Sequence, residues 1–186
     1  KKVLLRTDLN VPIDKNGNII DDTKIQYAFE TIKYLVSSNT KLIIMSHLGR
    51  PGGKVVPNLS LSPVCQHLST IIGKNIVFVN SLAGPDAVEA VEEMLPGDIV
   101  MLENTRFDPE EEKNSVSLAK KLASFADVFV NDAFASSHRN HASVVGVAKF
   151  LETYAGFLME REIEKLSSLF ERIERPLTII LGGVKI

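Results

Sequence analysis

Six short, almost wholly apolar runs punctuate the chain: Val3–Leu5, Lys41–Met45, Ile76–Val79, Ile99–Leu102, Val128–Val130 and Leu177–Leu181. Side chains alternate between the two faces of a sheet, so a strand that is apolar at every position must be covered on both. Such continuous runs, rather than alternating ones, are expected of a parallel sheet covered on both faces.

The intervening segments supply those helices. Ile25, Ala28, Phe29, Ile32, Leu35 and Val36 form a helical stripe entered through Asp21-Asp22-Thr23. Ser62-Pro63 reads as an N-cap followed by a first-turn proline, with Gly73 closing that helix. Ala87, Val91 and Met94 mark a third helix and Leu118, Leu122 and Phe125 a fourth. Met159, Ile163, Leu166, Phe170 and Ile173 mark a long fifth that ends before Pro176. Asn16-Gly17, inside PIDKNGNIID, signals a hairpin. The expected fold is therefore α/β: a doubly wound, Rossmann-like three-layer αβα sandwich on a parallel sheet, with a small β-arm after the first strand. Residues 1–175 are expected to form one domain. Residues 176–186 are expected to open a second, truncated one, and the absence of an initiator Met fits a trimmed chain.

Composition narrows the function classes. A net charge of −2 argues against a general nucleic-acid or membrane-surface binder. The single cysteine, Cys65, leaves no internal disulfide and fits a reducing compartment. No apolar run approaches the roughly 18 residues of a membrane span.

In an open α/β sheet, ligands bind beyond the carboxyl ends of the strands, and there the polar residues gather. The first strand empties into Arg6, Asp8 and Asn10; the second into His47 and Arg50; the fourth into Glu103, Asn104 and Arg106; the fifth into Asp132, His138, Arg139 and His141. Four of the seven arginines and three of the four histidines stand at these strand ends. Guanidinium groups bind carboxylate and phosphate bidentately, so their convergence describes a site for a small, multiply anionic molecule. Each piece also has a plain structural reading. Arg50 alone would be a solvated loop cation, Asp8 and Asn10 turn-pinning residues, and His67 and the acidic run Pro109–Lys113 solvated surface. His138-x-x-His141 has metal-ligand spacing but no evident third ligand.

Two motif matches fail. Gly49–Lys54 imitates a phosphate loop, but its first glycine is one residue too close to Gly53-Lys54, and Val55 replaces the magnesium-binding Ser or Thr. No G-x-G-x-x-G follows any strand.

Six blocks occur in order: RTDLNVP (6–12), SHLGRP (46–51), LENTRF (102–107), NDAFASSHRNHAS (131–143), AGFLMEREI (155–163) and LGGVKI (181–186). Together they resemble the phosphoglycerate kinase family, and only its N-terminal, glycerate-binding lobe plus the first strand of the nucleotide lobe. The resemblance implies reversible phosphoryl transfer between 1,3-bisphosphoglycerate and ADP, or 3-phosphoglycerate and ATP, with Mg-ATP or Mg-ADP held mainly by the other lobe. It also implies a cytoplasmic monomer with small-molecule partners and neither nucleic acid nor membrane. Carried over by position, the substrate-binding residues are Arg6, Asp8, Leu9, Asn10, Lys24, His47, Leu48, Gly49, Arg50, Arg106, His138, Arg139 and His141. Lys24 and Lys185 fall at the catalytic positions, and no residue is assigned to a metal. On this reading Arg50, Arg106 and Arg139 clamp the remote phosphate, while Glu103 and Asp132 orient the cations. The chain departs from the family pattern in two places: Lys24 stands where an arginine is usual, and Ala135 where a glycine is. Lysine lacks the planar fork, which keeps open a rival reading as a non-catalytic anion-binding or docking module of the same fold. A metal hydrolase using His138 and His141 is a third class.

Overall fold

The computed structural model describes residues 1–171, 175–180 and 182. Its six strands are β1 (Lys2–Thr7), β2 (Lys41–Met45), β3 (Val77–Val79), β4 (Ile99–Leu102), β5 (Val128–Asp132) and β6 (Glu152–Ala155). All pair in parallel, in the order β3-β4-β2-β1-β5-β6. Five helices cover them: α1 (Thr23–Ser37), α2 (Ser62–Ile72), α3 (Pro85–Glu93), α4 (Val116–Ala123) and α5 (Phe157–Glu171).

Alternation along the strands sorts the apolar side chains into two buried layers. Val3, Leu5, Leu42, Ile44, Ile99 and Met101 face α1 and α2 and pack on Ile25, Ile32, Val64 and Leu68. Leu4, Ile43, Met45, Val100, Leu102 and Phe129 face α3 and α4 and pack on Ala87, Val91, Leu118 and Leu122. The three-layer αβα sandwich expected from the apolar runs is the one observed.

Four local expectations change. The sixth strand of the sheet is Glu152–Ala155, all four residues exposed. Leu177–Ile180 belong to no strand and are exposed, while Leu181 lies outside the described residues. The β-arm amounts to one antiparallel bridge, Ile13 to Ile19, around Gly17 at φ +87°. Ser62 is the first residue of α2, not its N-cap; the cap position is Leu61 and no side chain of its own closes the helix. Gly73 does end α2, in the left-handed conformation. Of the fifth helical stripe only Met159 is buried; Ile163, Leu166 and Phe170 are exposed, and Ile173 lies outside the described residues.

The chain leaving β1 turns toward β2, and the chain leaving β5 turns toward β6, on opposite sides. Their carboxyl ends, in register at Thr7 and Asp132, therefore frame the crevice that such a reversal of winding creates.

Candidate anion-binding site

Three strand-end loops are stitched to one another at this edge. Leu9 N–H donates to Ser46 Oγ at 2.9 Å and Gly49 N–H to Asn10 Oδ1 at 2.9 Å, joining the loops after β1 and β2. Asn104 Nδ2 donates to the carbonyls of Leu48 (2.7 Å) and Leu59 (2.9 Å), and its Oδ1 accepts from Arg106 N–H at 3.0 Å. Arg106 Nη1 then donates to Gly49 O at 2.7 Å. Gly49 sits at φ +62°, and a Cβ there would lie 2.7 Å from a Leu59 methyl, so the tight turn presenting Arg50 requires glycine.

The cations of that edge share one region. Arg106 is buried, and its pKa is lowered by burial and then by the charge of Arg139, with Arg50 adding to the push. Its Nε lies 3.4 Å from Glu112 Oε1 but makes no hydrogen bond. Arg50 is exposed and Arg139 half-buried, so both reach solvent while Arg106 forms the floor. Like charges in one region raise one another's energy, and a bound phosphate relieves that repulsion.

Arg6 plays a different part from an open clamp. It is only 1% exposed, its Nε donates to Ser143 Oγ (3.0 Å), its Nη1 to Thr7 O (2.5 Å), and its Nη2 meets His47 Nδ1 at 3.1 Å. A guanidinium can only donate, so His47 Nδ1 is the acceptor and the ring proton resides on Nε2. Burial, followed by the charges of Arg6 and Arg106, depresses the His47 pKa to about 2. His47 is thus a neutral hydrogen-bond donor throughout the physiological range. The unfolded chain protonates this residue below about 6.5, whereas the folded protein does not. The contribution to stability is therefore complete above that pH and is lost as pH falls toward 2. We expect His47 to remove about 2 kcal/mol between pH 6.5 and 4.5. Glu111 and Asp132, whose carboxyls burial pushes up, act in the opposite sense. The readout is accordingly the difference in urea stability between wild type and His47→Gln across that range. Parallel profiles would refute it.

The other expected site residues divide. Asp8 Oδ2 accepts from Lys24 Nζ at 2.9 Å and its Oδ1 from Asn10 N–H at 3.0 Å, so Lys24 stands on this edge through Asp8. The Leu9 and Leu48 side chains belong to the buried core, which leaves only their backbones for a ligand. His141 is buried with Nδ1 3.7 Å from Glu111 Oε1, while His138 is exposed. No group of three His, Cys, Asp or Glu side chains converges as a metal site among the described residues. Lys185 lies outside the described residues.

Among the described residues, Glu103 and Asp132 hold helix ends and form no ion pair with a cation. Glu103 accepts from Ser60 Oγ (2.7 Å) and from the N–H groups of Leu61 (2.9 Å) and Asn104 (2.7 Å), closing the N-terminus of α2. Asp132 accepts from Met159 N–H (3.1 Å) in the first turn of α5. A carboxylate at a helix N-terminus satisfies orphan donors and meets the positive end of the dipole. Gly156 precedes that turn, and a Cβ on it would lie 2.3 Å from Asp132 Oδ1. His67 is likewise not free surface: its Nε2 lies 3.0 Å from Asp22 Oδ2. Ala135 is exposed and outside the left-handed region, where the only non-glycine residues described are Asn39 and Asn114. Its backbone conformation does not call for glycine.

Comparison with known proteins gives the chain relatives in sequence and in fold. The family profile described as phosphoglycerate kinase matches residues 1–186. The phosphoglycerate kinase of Pseudothermotoga lettingae is 50% identical over 186 residues, covering 100% of this chain and 47% of that protein. That of Coprothermobacter proteolyticus is 48% identical, again over 100% of this chain and 47% of the relative. The phosphoglycerate kinase structure from Coxiella burnetii superposes with a TM-score of 0.83 at 38% identity, over 94% of this chain and 43% of its own. That from Pyrococcus horikoshii OT3 gives 0.84 at 36% identity, over 95% and 44%. The chain thus spans about half the length of the curated relatives it matches. With a family match over its whole length and relatives 48% and 50% identical across that length, the chain belongs to the phosphoglycerate kinase family.

Proposed function

We propose that these 186 residues form the glycerate-binding half of a phosphoglycerate kinase, which moves a phosphoryl group between 1,3-bisphosphoglycerate and ADP, or 3-phosphoglycerate and ATP. The observation that carries the reading is the buried Arg106, tied to Gly49 O in the turn before Arg50 and near enough to Arg139 and Arg50 for their charges to lower its pKa. Arg50 and Arg139 grip the 3-phosphate from solvent-accessible positions with Arg106 beneath. Asn10 and the neutral Nε2–H of His47 face the glycerate hydroxyl and carboxyl region.

The reacting carboxylate is already ionised, so the reaction needs no general base. Positioning and neutralisation of charge do most of the work. Lys24 and, on the family pattern, Lys185 stabilise the group in flight. The nucleotide, carried as its magnesium complex, binds outside residues 1–175, and residues 176–186 lead into that second half. Closure of the two halves excludes water and protects the acyl phosphate from hydrolysis. The 186 residues alone are accordingly expected to bind 3-phosphoglycerate without catalysing turnover.

A charge-assisted hydrogen bond contributes about 1.5–3 kcal/mol. Arg50→Ala and Arg139→Ala are each expected to weaken 3-phosphoglycerate binding about 10- to 100-fold in calorimetric titration. Unchanged affinity in both variants would remove them from the site. The docking-module alternative rests on Lys24, which is engaged by Asp8. A coupled kinase assay on a longer chain containing both halves separates the two readings, because a docking module binds the anion and transfers nothing.

A further inference from the structure

Glu111 lies in the middle of Pro109–Lys113, a stretch whose composition reads as solvated, yet it is fully buried. Its Oε2 accepts from Ser143 N–H at 2.9 Å and its Oε1 from Ser143 Oγ at 2.5 Å. Ser143 Oγ in turn accepts from Arg6 Nε at 3.0 Å, and Arg6 Nη2 donates to His47 Nδ1. The Glu111 carbonyl also accepts from Ala142 N–H at 2.9 Å. One residue from the loop after β4 therefore fastens residues 141–143 of the loop after β5 and, through one hydroxyl, the guanidinium at the end of β1.

A buried carboxylate–guanidinium arrangement is a weak source of net stability, because desolvation offsets most of the attraction. Its consequence here is geometric. We propose that Glu111 is a positioning residue for the anion-binding edge. Through Ser143 it holds Arg6, and with it the donor face of His47; through the backbone of 141–143 it holds the segment carrying Arg139 and His141. The inference rests on the reading of this edge as the 3-phosphoglycerate site.

The sign of the effect separates positioning from charge. Removing a negative charge beside a cationic site strengthens anion binding by Coulomb's law alone, and a purely structural role leaves the affinity of the folded protein unchanged. Positioning predicts the reverse. In the 186-residue chain, Glu111→Gln is expected to weaken 3-phosphoglycerate binding about 10-fold in calorimetric titration. It is also expected to move the nitrogen-15 resonances of Arg6 Nε and the His47 ring while amide dispersion stays native. Ser143→Ala, which cuts the same link without touching the carboxylate, is expected to act in the same direction. The double substitution should be no worse than the worse single. Tighter or unchanged binding, unmoved Arg6 and His47 resonances, or strictly additive effects would each overturn the proposal. If Glu111→Gln does not fold, Ser143→Ala carries the same decision. If the wild-type chain does not bind 3-phosphoglycerate, the assignment of the edge fails, and the resonances still decide whether Glu111 holds Arg6.

Discussion

Arg106→Ala is expected to weaken 3-phosphoglycerate binding by more than about 100-fold, beyond either Arg50→Ala or Arg139→Ala. Two losses coincide. The first is a charge-assisted contact to the phosphate, worth about 1.5–3 kcal/mol on its own. The second is the 2.7 Å bond from Nη1 to Gly49 O, which pins the turn that presents Arg50. Arg50 is exposed and depends on that turn for its direction, so one deletion disturbs both guanidiniums proposed to hold the phosphate. Arg106→Lys keeps the charge but lacks the planar fork that serves the carbonyl and the phosphate together. Its expected affinity lies between wild type and Arg106→Ala. Calorimetric titration of both variants tests the order, and an Arg106→Ala affinity within threefold of wild type would show that this guanidinium is not part of the phosphate site.

Much of this fold was legible because its strands obey one rule. β1, β2, β4 and β5 are covered on both faces, and their unbroken apolar runs say so. β6 escaped the same rule for the opposite reason: Glu-Thr-Tyr-Ala is exposed throughout, so nothing in its composition distinguishes it from a loop. It is a strand because its backbone pairs with β5. Leu177–Ile180 show the converse. Their β-branched character is real, but propensity alone makes no strand, and these residues pair with no edge among the described residues.

The site was legible by position more than by role. Arg50, Arg106 and Arg139 could be proposed because cations at strand ends in an acidic chain demand an explanation. Arg6, His47 and Glu111 could not be sorted the same way, since exposure separates a ligand-facing cation from one that organises its neighbours. Exposure is a property of the packed molecule. Glu103 and Asp132 show this most clearly. Each follows or ends a strand beside arginines, yet each closes a helix whose first turn is brought to it only by the tertiary fold.

Asn104 carries the largest expected effect on stability. It is fully buried, and alanine in its place orphans the carbonyls of Leu48 and Leu59 and the N–H of Arg106 in one step. Each unsatisfied buried group costs about 1–3 kcal/mol, which places the total near 4 kcal/mol, a large share of a domain's net stability. For a chain of this size that corresponds to a melting temperature lower by about 8–16 °C. Asn104→Asp retains the acceptor for Arg106 N–H but turns the other end from a donor into an oxygen aimed at two carbonyls. It is therefore expected to be at least as damaging, although it removes less volume. Because Leu48 O is one of the orphans, the turn carrying Gly49 and Arg50 loosens as well, and 3-phosphoglycerate binding should weaken even at temperatures where both variants remain folded. Urea and thermal unfolding read the first effect and titration at low temperature the second. A stability loss under about 1 kcal/mol in Asn104→Ala would mean that water replaces the amide freely, and that the loops above the sheet are not held together through this side chain.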